Sequence, residues 1–379
     1  MQNKTKYHIL FTSAWYPSRV EQYNGNFVKR HALAVSTMQK VTVLYIQSDE
    51  NCKKVETFIT QINENFKEII VYFPRNKIHF LNPIIKLFLF QKYVKWVGKF
   101  DLIHHNVLFL ETIWVYFRKL LYKTPFAITE HWTRYTENTP KKFPKIWLII
   151  ASFLAKKAKF ILPVSKALQT SMQNLGIKAN YKVIPNVIDT ELFSLKPSIN
   201  NEIVTFVHIS NLKQEHKNIY GILNVLIRLS EEKYKYKMIF AGENSFDEYQ
   251  NFINMKGIQK DIKFIGKLSQ AEVCSILKSS DCFLLFSNYE TQGCVLLESL
   301  SCGTPIIATN VGGIPENFIE YFGYLVEKQD ENALYKAMIT FIKKEKDYKK
   351  KEMHAFIEQK FSIKTIAKEF NLLYKLILN

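Results

Sequence analysis

The sequence predicts an α/β protein of two doubly wound domains, and three observations carry the prediction. Short apolar runs alternate with helical patterns along the whole chain, as expected for parallel sheets covered by helices on both faces. At 379 residues the chain is long for a single core. The alternation breaks at LKPSINNE (195–202), where Pro197 and the Asn and Ser residues around it read as a linker. The domains expected are therefore 1–193 and 200–361, with a last helix over 362–379.

The elements follow in order. Apolar runs predict strands at 8–12, 41–46, 69–73, 102–104, 126–129, 160–163 and 183–184 in the first half. Helices are expected at 26–38 and from 164 through 173. After the linker, strands are expected at 203–209, 237–241, 262–265, 282–286 and 305–309, with helices at 218–229, 270–279, 294–301 and 363–378. The lysine-rich stretch 343–351 reads as a solvated helix face.

Bulk properties narrow the classes. Hydrophobic residues make up 47% of the chain, so it folds. Its five cysteines form no C-x-x-C pair, which suits a reducing cytosol better than a disulfide frame or zinc site. The N-terminus reads as a first strand and not a signal peptide. The longest apolar run, 146–155, is roughly half of what a membrane span needs, which predicts a soluble or peripheral protein.

The net charge of +18 is unevenly spread: residues 1–195 hold 28 Lys+Arg against 12 Asp+Glu, a balance of +16, and the remainder holds 24 against 22, a balance of +2. In the segments 83–100, 114–126 and 141–160, lysines interleave with Trp, Phe, Leu and Ile, a pattern suited to an anionic headgroup interface. Lys86, Lys92, Lys95 and Lys99 are expected to face that surface. Solvated lysines on ordinary amphipathic helices fit the same pattern. No RNA-recognition motif, helix-turn-helix or zinc finger is present, so a membrane surface is preferred over nucleic acid.

The chemistry concentrates in SNYETQGCVLLESLSCGTPIIATNVGGIPE (287–316). A strand opens into a polar loop with Glu290 and Gln292, and Gly293 then starts a short helix carrying Cys294, Val295 and Glu298. Such a loop lies at the carboxyl edge of a parallel sheet, where open α/β folds bind ligands. Carboxylates accept from sugar hydroxyls, and the first-turn amides of a helix suit a phosphate. Together they describe a nucleotide-sugar pocket. In HISNLKQEHKNIYGIL (208–223), Lys217 stands beside a helix start, where a cation is unfavourable unless an anion binds there; Lys217 is accordingly expected to bind a diphosphate.

E-x7-E followed by a small-residue turn and GGIPE resembles the donor site of retaining glycosyltransferases of the GT-B fold, especially glycosyltransferase family 4. The resemblance implies two Rossmann-like domains facing each other across a cleft, with the last helix crossing back onto the first. It assigns Glu298 to the ribose, Glu290 to the sugar 3- and 4-hydroxyls, and Lys217 with the amides of 293–295 to the pyrophosphate. The backbone of Gly266, Lys267 and Leu268 would read the base, the turn at Gly25 and Asn26 would face the donor phosphates, and His131 would hydrogen-bond the transferred sugar. Gly242 either lines the nucleotide pocket or is a turn glycine.

One position departs from the family pattern. Asn211 stands where an arginine is common, leaving a phosphate cation missing or supplied by Arg19, Lys29 or Lys213. The chain has no D-x-D, so no metal or other cofactor is expected. It also has no G-x-G-x-x-G after the first strand, which argues against a dinucleotide dehydrogenase. The reading is a metal-independent retaining transferase that uses a UDP- or GDP-sugar. Its expected acceptor is a polyprenyl-diphosphate-linked or other lipid-linked glycan at the inner face of a bacterial cytoplasmic membrane. A nucleotide-sugar epimerase or phosphorylase of the same fold is the alternative.

Overall fold

A computed structural model describes residues 6–22, 24–78, 80–137, 139–195, 202–243 and 245–379. Most of the expected linker, 196–201, lies outside them. The chain divides into two compact units: one holds residues up to Tyr135, Lys141–Val187 and Ile363–Asn379, the other Thr136–Pro140 and Ile188–Ser362.

In the first unit the chain runs β1 (His8–Ser13), α1 (Asn26–Ser36), β2 (Lys40–Asp49), β3 (Glu56–Asn63), β4 (Phe66–Pro74), α2 (Leu81–Val97), β5 (Leu102–Asn106), α3 (Glu111–Tyr122), β6 (Phe126–Glu130), α4 (Lys145–Lys157), β7 (Ile161–Pro163) and α5 (Lys166–Asn174). The strands form one sheet in the order β3-β4-β2-β1-β5-β6-β7, parallel except for the β3–β4 hairpin. Alternate side chains enter two cores, as the strand period requires. Leu10, Leu44, Ile103 and Ile128 pack beneath α2 to α5. Ile9, Phe11, Val43 and Leu102 pack beneath α1 and the last helix. Gly98, at a positive φ of 83° that glycine adopts readily, follows the last residue of α2.

The second unit continues with β8 (Thr205–Ser210), α6 (Gln214–Lys217), α7 (Ile219–Glu231), β9 (Lys237–Gly242), α8 (Asp247–Met255), β10 (Ile262–Ile265), α9 (Gln270–Ser279), β11 (Cys282–Leu285), α10 (Cys294–Ser301), β12 (Ile306–Thr309), β13 (Gly323–Val326), α11 (Glu331–Ile342) and α12 (Lys350–Phe361). Its sheet is wholly parallel, ordered β10-β9-β8-β11-β12-β13. The final helix α13 (Ile363–Leu378) packs on α1 of the first unit.

Three expectations need correction. Residues 183–184 form no strand: Tyr181 makes a lone bridge to Ile161, and Pro163 and Pro185 lack the N–H groups a ladder needs. The 343–351 stretch is mostly a connection, because Lys344 sits at φ 54° just past the end of α11 and the next helix starts only at Lys350. Lys86 is not a surface lysine; it is largely buried and donates to Glu111 Oε1 at 2.8 Å.

Candidate active site

The second sheet has its topological switch point between β8 and β11, since the chain proceeds outward from β8 to β10 on one side and from β11 to β13 on the other. Open α/β sheets bind ligands in the crevice beyond the strand ends at such a point. The loops leaving β8 and β11 carry Asn211–Lys217 and Glu290–Gly293. The structure brings the two loops together. Lys217, last residue of the one-turn α6, donates from Nζ to Glu290 Oε1. Ser287 Oγ donates to the same oxygen at 2.8 Å. Asn288 fastens the loops, its amide N–H bonding His216 O at 2.8 Å and its Nδ2 bonding Glu215 O at 3.1 Å.

Both charged partners are buried, Lys217 at 8% and Glu290 at 6% exposure. Burial alone would push the Glu290 carboxyl up, but the pull of Lys217 and His216 and the hydrogen bonds from Lys217 and Ser287 bring it below its ordinary value. His216 itself is pushed down to about 4, chiefly by burial and then by Lys217, so at neutral pH the cation beside Glu290 is Lys217. The His216 ring stacks on Tyr289 at 4.4 Å and 4°, with Nε2 3.6 Å from Glu290 Oε1.

Two glycines have geometric reasons. Gly293, at φ 77°, is the N-cap of α10, and Cys294 and Val295 occupy that helix's first turn, whose amides point out of the helix end. Gly312, at φ 55°, lies so close that an added Cβ would come 1.8 Å from Glu290 O. Glu298 is buried on α10 at 3% exposure and Gln292 in the preceding loop at 3%. Gly266, Lys267 and Leu268 follow the edge strand β10, with β9 and β8 between it and β11. Gly242 packs against Ser210 O, where a Cβ would approach to 2.0 Å, a structural reason sufficient for glycine.

Gly25, Asn26 and His131 belong to the first unit. Gly25, at φ 78°, caps α1, and an added Cβ would meet Trp15 backbone at 2.6 Å. Phe27, one residue beyond Asn26, packs its ring on His131 at 4.2 Å. His131 follows β6 with Nε2 3.4 Å from Asn106 Oδ1. Burial, with His31 and His104 nearby, holds it well below the ordinary imidazole range. Glu130 beside it accepts from the N–H groups of Leu108, His131 and Trp132 at 2.7–2.8 Å.

Of the cations considered as substitutes at Asn211, two are committed elsewhere. Arg19 pairs with Asp49 at 2.6 Å and Glu56 at 2.7 Å, and Lys29 pairs with Glu68 at 3.0 Å. Lys213 remains, two residues beyond Asn211, its backbone N–H bonded to Asn211 Oδ1 at 3.3 Å. Ser287, Asn288 and His216 escaped the sequence reading. For Ser287 and Asn288 the signal was a polar SNYE directly after an apolar strand; His216 lies in another segment and carried none.

The sequence pattern of the glycosyl transferases group 1 family matches residues 189–361, and that of glycosyltransferase family 4 matches residues 38–192. The chain belongs to this glycosyltransferase family. A Bacillus anthracis N-acetyl-alpha-D-glucosaminyl L-malate synthase is 30% identical over 44% of this chain and 44% of its own length, so the match spans less than half of that relative. Sucrose-phosphate synthase from Thermosynechococcus elongatus superposes with a TM-score of 0.81 at 17% identity, covering 98% of this glycosyltransferase and 99% of that chain. Anabaena HepE in complex with UDP-glucose gives 0.74 at 18% identity over 98% and 100%. These structures share the GT-B fold with the present chain.

Proposed function

We propose that this glycosyltransferase moves a sugar from a UDP- or GDP-sugar to a hydroxyl of a lipid-linked glycan, with retention and without a metal ion, in surface polysaccharide synthesis. The observation that carries the reading is the Lys217–Glu290 pair at the switch point of the second sheet. A leaving diphosphate needs fixed positive charge and N–H donors, and a site that supplies them before reaction lowers the barrier electrostatically. Lys217 and the first turn of α10 supply them in this reading. Glu298 accepts from the ribose and Glu290 from the sugar hydroxyls. His131, held neutral, is the group the resemblance assigns to the transferred sugar, and Gly25 and Asn26 are assigned to the phosphates.

A membrane-facing role for the first unit is supported by its outer helices. Ile84, Phe88 and Trp96 of α2, Phe117, Leu120 and Leu121 of α3, and Ile146, Ile149 and Phe153 of α4 are all exposed. The three helices are neighbours, α2 beside α3 and α3 beside α4, and exposed Lys92, Lys95, Lys99, Lys156 and Lys157 accompany them. Apolar exposure on this scale, rimmed by lysines, suits an anionic bilayer surface. Among the described residues no helix is long and apolar enough to cross a membrane.

Incubation with a panel of UDP- and GDP-sugars tests the proposal. Slow donor hydrolysis and transfer to a glycolipid acceptor, both surviving EDTA, are expected. Conversion of the donor to an isomer without acceptor would establish the epimerase instead. Flotation should show binding to anionic but not zwitterionic vesicles, weakened by changing Lys92, Lys95 and Lys99 together to Glu. No binding at low salt would move the acceptor into solution.

A further inference from the structure

The sheet of the first unit has its own switch point, between β1 and β5, and a small pocket opens there. Thr12 comes from the end of β1 and His105 from the end of β5, while Lys86 of α2 and Glu111 and Trp114 of α3 supply the other wall. The cavity measures about 10 Å³, room for one oxygen-sized group.

Its polar groups are half satisfied. Lys86 Nζ donates to Glu111 Oε1 at 2.8 Å, and Thr12 Oγ1 and His105 Nδ1 lie 2.9 Å apart. Glu111 Oε2 and His105 Nε2 are shielded from solvent and have no hydrogen-bond partner in the protein. His105 is 1% exposed, and burial pushes its imidazole down to about 4, so it enters the pocket neutral. Unpaired buried polar groups are costly, and departures of this kind cluster at functional sites.

We propose that this pocket is a subsite for one hydroxyl of a polyol, the sugar or polyalcohol head of the acceptor. The inference rests on the reading of the chain as a transferase with a hydroxyl acceptor. A hydroxyl is the group that donates once and accepts twice: its O–H reaches Glu111 Oε2 while its lone pairs face the Lys86 ammonium. His105 Nε2 completes the set in whichever role its tautomer allows. A free anion is opposed by Glu111 and a free cation by Lys86, so the neutral polar group is selected.

The test is saturation-transfer NMR on the full chain with methyl α-D-glucopyranoside, glycerol and myo-inositol as probes. At least one is expected to bind saturably, with affinity reduced tenfold or more by Glu111→Gln. If that variant loses its fold, Thr12→Val, which releases the His105 ring without altering charge, is expected to weaken the same probe at least threefold. Titration of the same sample with UDP and GDP reads the donor side separately. Nucleotide binding with no polyol binding, or polyol binding indifferent to these substitutions, overturns the pocket alone; a crystal soaked with the probe that shows only a water there does the same. Failure of both nucleotides to bind overturns the reading beneath it.

Discussion

Lys217 and Glu290, 73 residues apart in sequence, meet as a buried ion pair at the switch point of the second sheet. A buried pair is costly to assemble from two solvated ions, and breaking it by removing one partner is worse than never having it. It lies where open α/β sheets bind ligands, and the proposed donor site gives the chain a reason to bear that cost. The same ammonium that satisfies Glu290 is the cation proposed for the diphosphate.

The pair should behave non-additively. Lys217→Met leaves Glu290 buried with no strong cation and is expected to cost about 3–5 kcal/mol of stability. Adding Glu290→Gln should recover a large part of it. Denaturant unfolding of the two single variants and the double variant measures the coupling; additive losses would show that the pair contributes nothing to stability.

Glu290 should also compete with a diphosphate for Lys217. Glu290→Gln is expected to bind the preferred nucleoside diphosphate several-fold more tightly, because the ammonium is released and a nearby negative charge is gone. Sugar transfer by the same variant should fall at least a hundredfold. Calorimetry and turnover assays read the two effects separately, and weaker nucleotide binding would count against the competition.

Glu298 is proposed to accept from the ribose, and Glu298→Gln puts a neutral amide in place of that carboxylate. The expected loss in donor affinity is about 1.5–3 kcal/mol, that of a charge-assisted hydrogen bond. Calorimetry with the donor measures it, and unchanged affinity in a folded variant removes Glu298 from the site.

Acid should destabilise the first unit. Burial is the largest cause that pushes His31 and His105 down to about 4 and holds His104 and His131 well below 6.5. Unfolded, each titrates near 6.5. Between about pH 6.5 and 4 the unfolded chain therefore binds more protons, and stability falls as pH falls. For His31 and His105 the loss is on the order of 3 kcal/mol each. Glu130 acts in the opposite sense: burial pushes it up to about 7 against three backbone N–H donors, so its contribution grows as pH falls from 7 towards 4.5. Four imidazoles outweigh one carboxyl, and Tm should drop steadily from pH 6.5 to 5. A flat or rising Tm over that range would contradict the assignment.

The central strands were legible because both faces are buried, so they read as plain apolar runs. β3 escaped because ETFITQIN is an exposed antiparallel edge, with little side-chain burial to produce a pattern. β13 has four residues and opens on Gly323, too short for a period. α8, with mixed polarity in nine residues, gave no clear stripe either. Lys217 and Glu290, which the structure brings together, stood out because residue type and position after a strand agree; Glu298 was read from its place on the helix that follows Gly293. The stack of His216 on Tyr289, and the meeting of Lys86, His105 and Glu111, depend on contacts between distant segments and leave no local trace.

The central claim is that the donor diphosphate binds at the switch point of the second sheet. A crystal structure of the full chain with the nucleoside diphosphate selected by the donor panel tests it most directly. The account predicts Lys217 Nζ within about 3 Å of a phosphate oxygen, Glu290 parted from it, and the phosphates against the first turn of α10. A diphosphate bound elsewhere, with the Lys217–Glu290 pair intact, would contradict it.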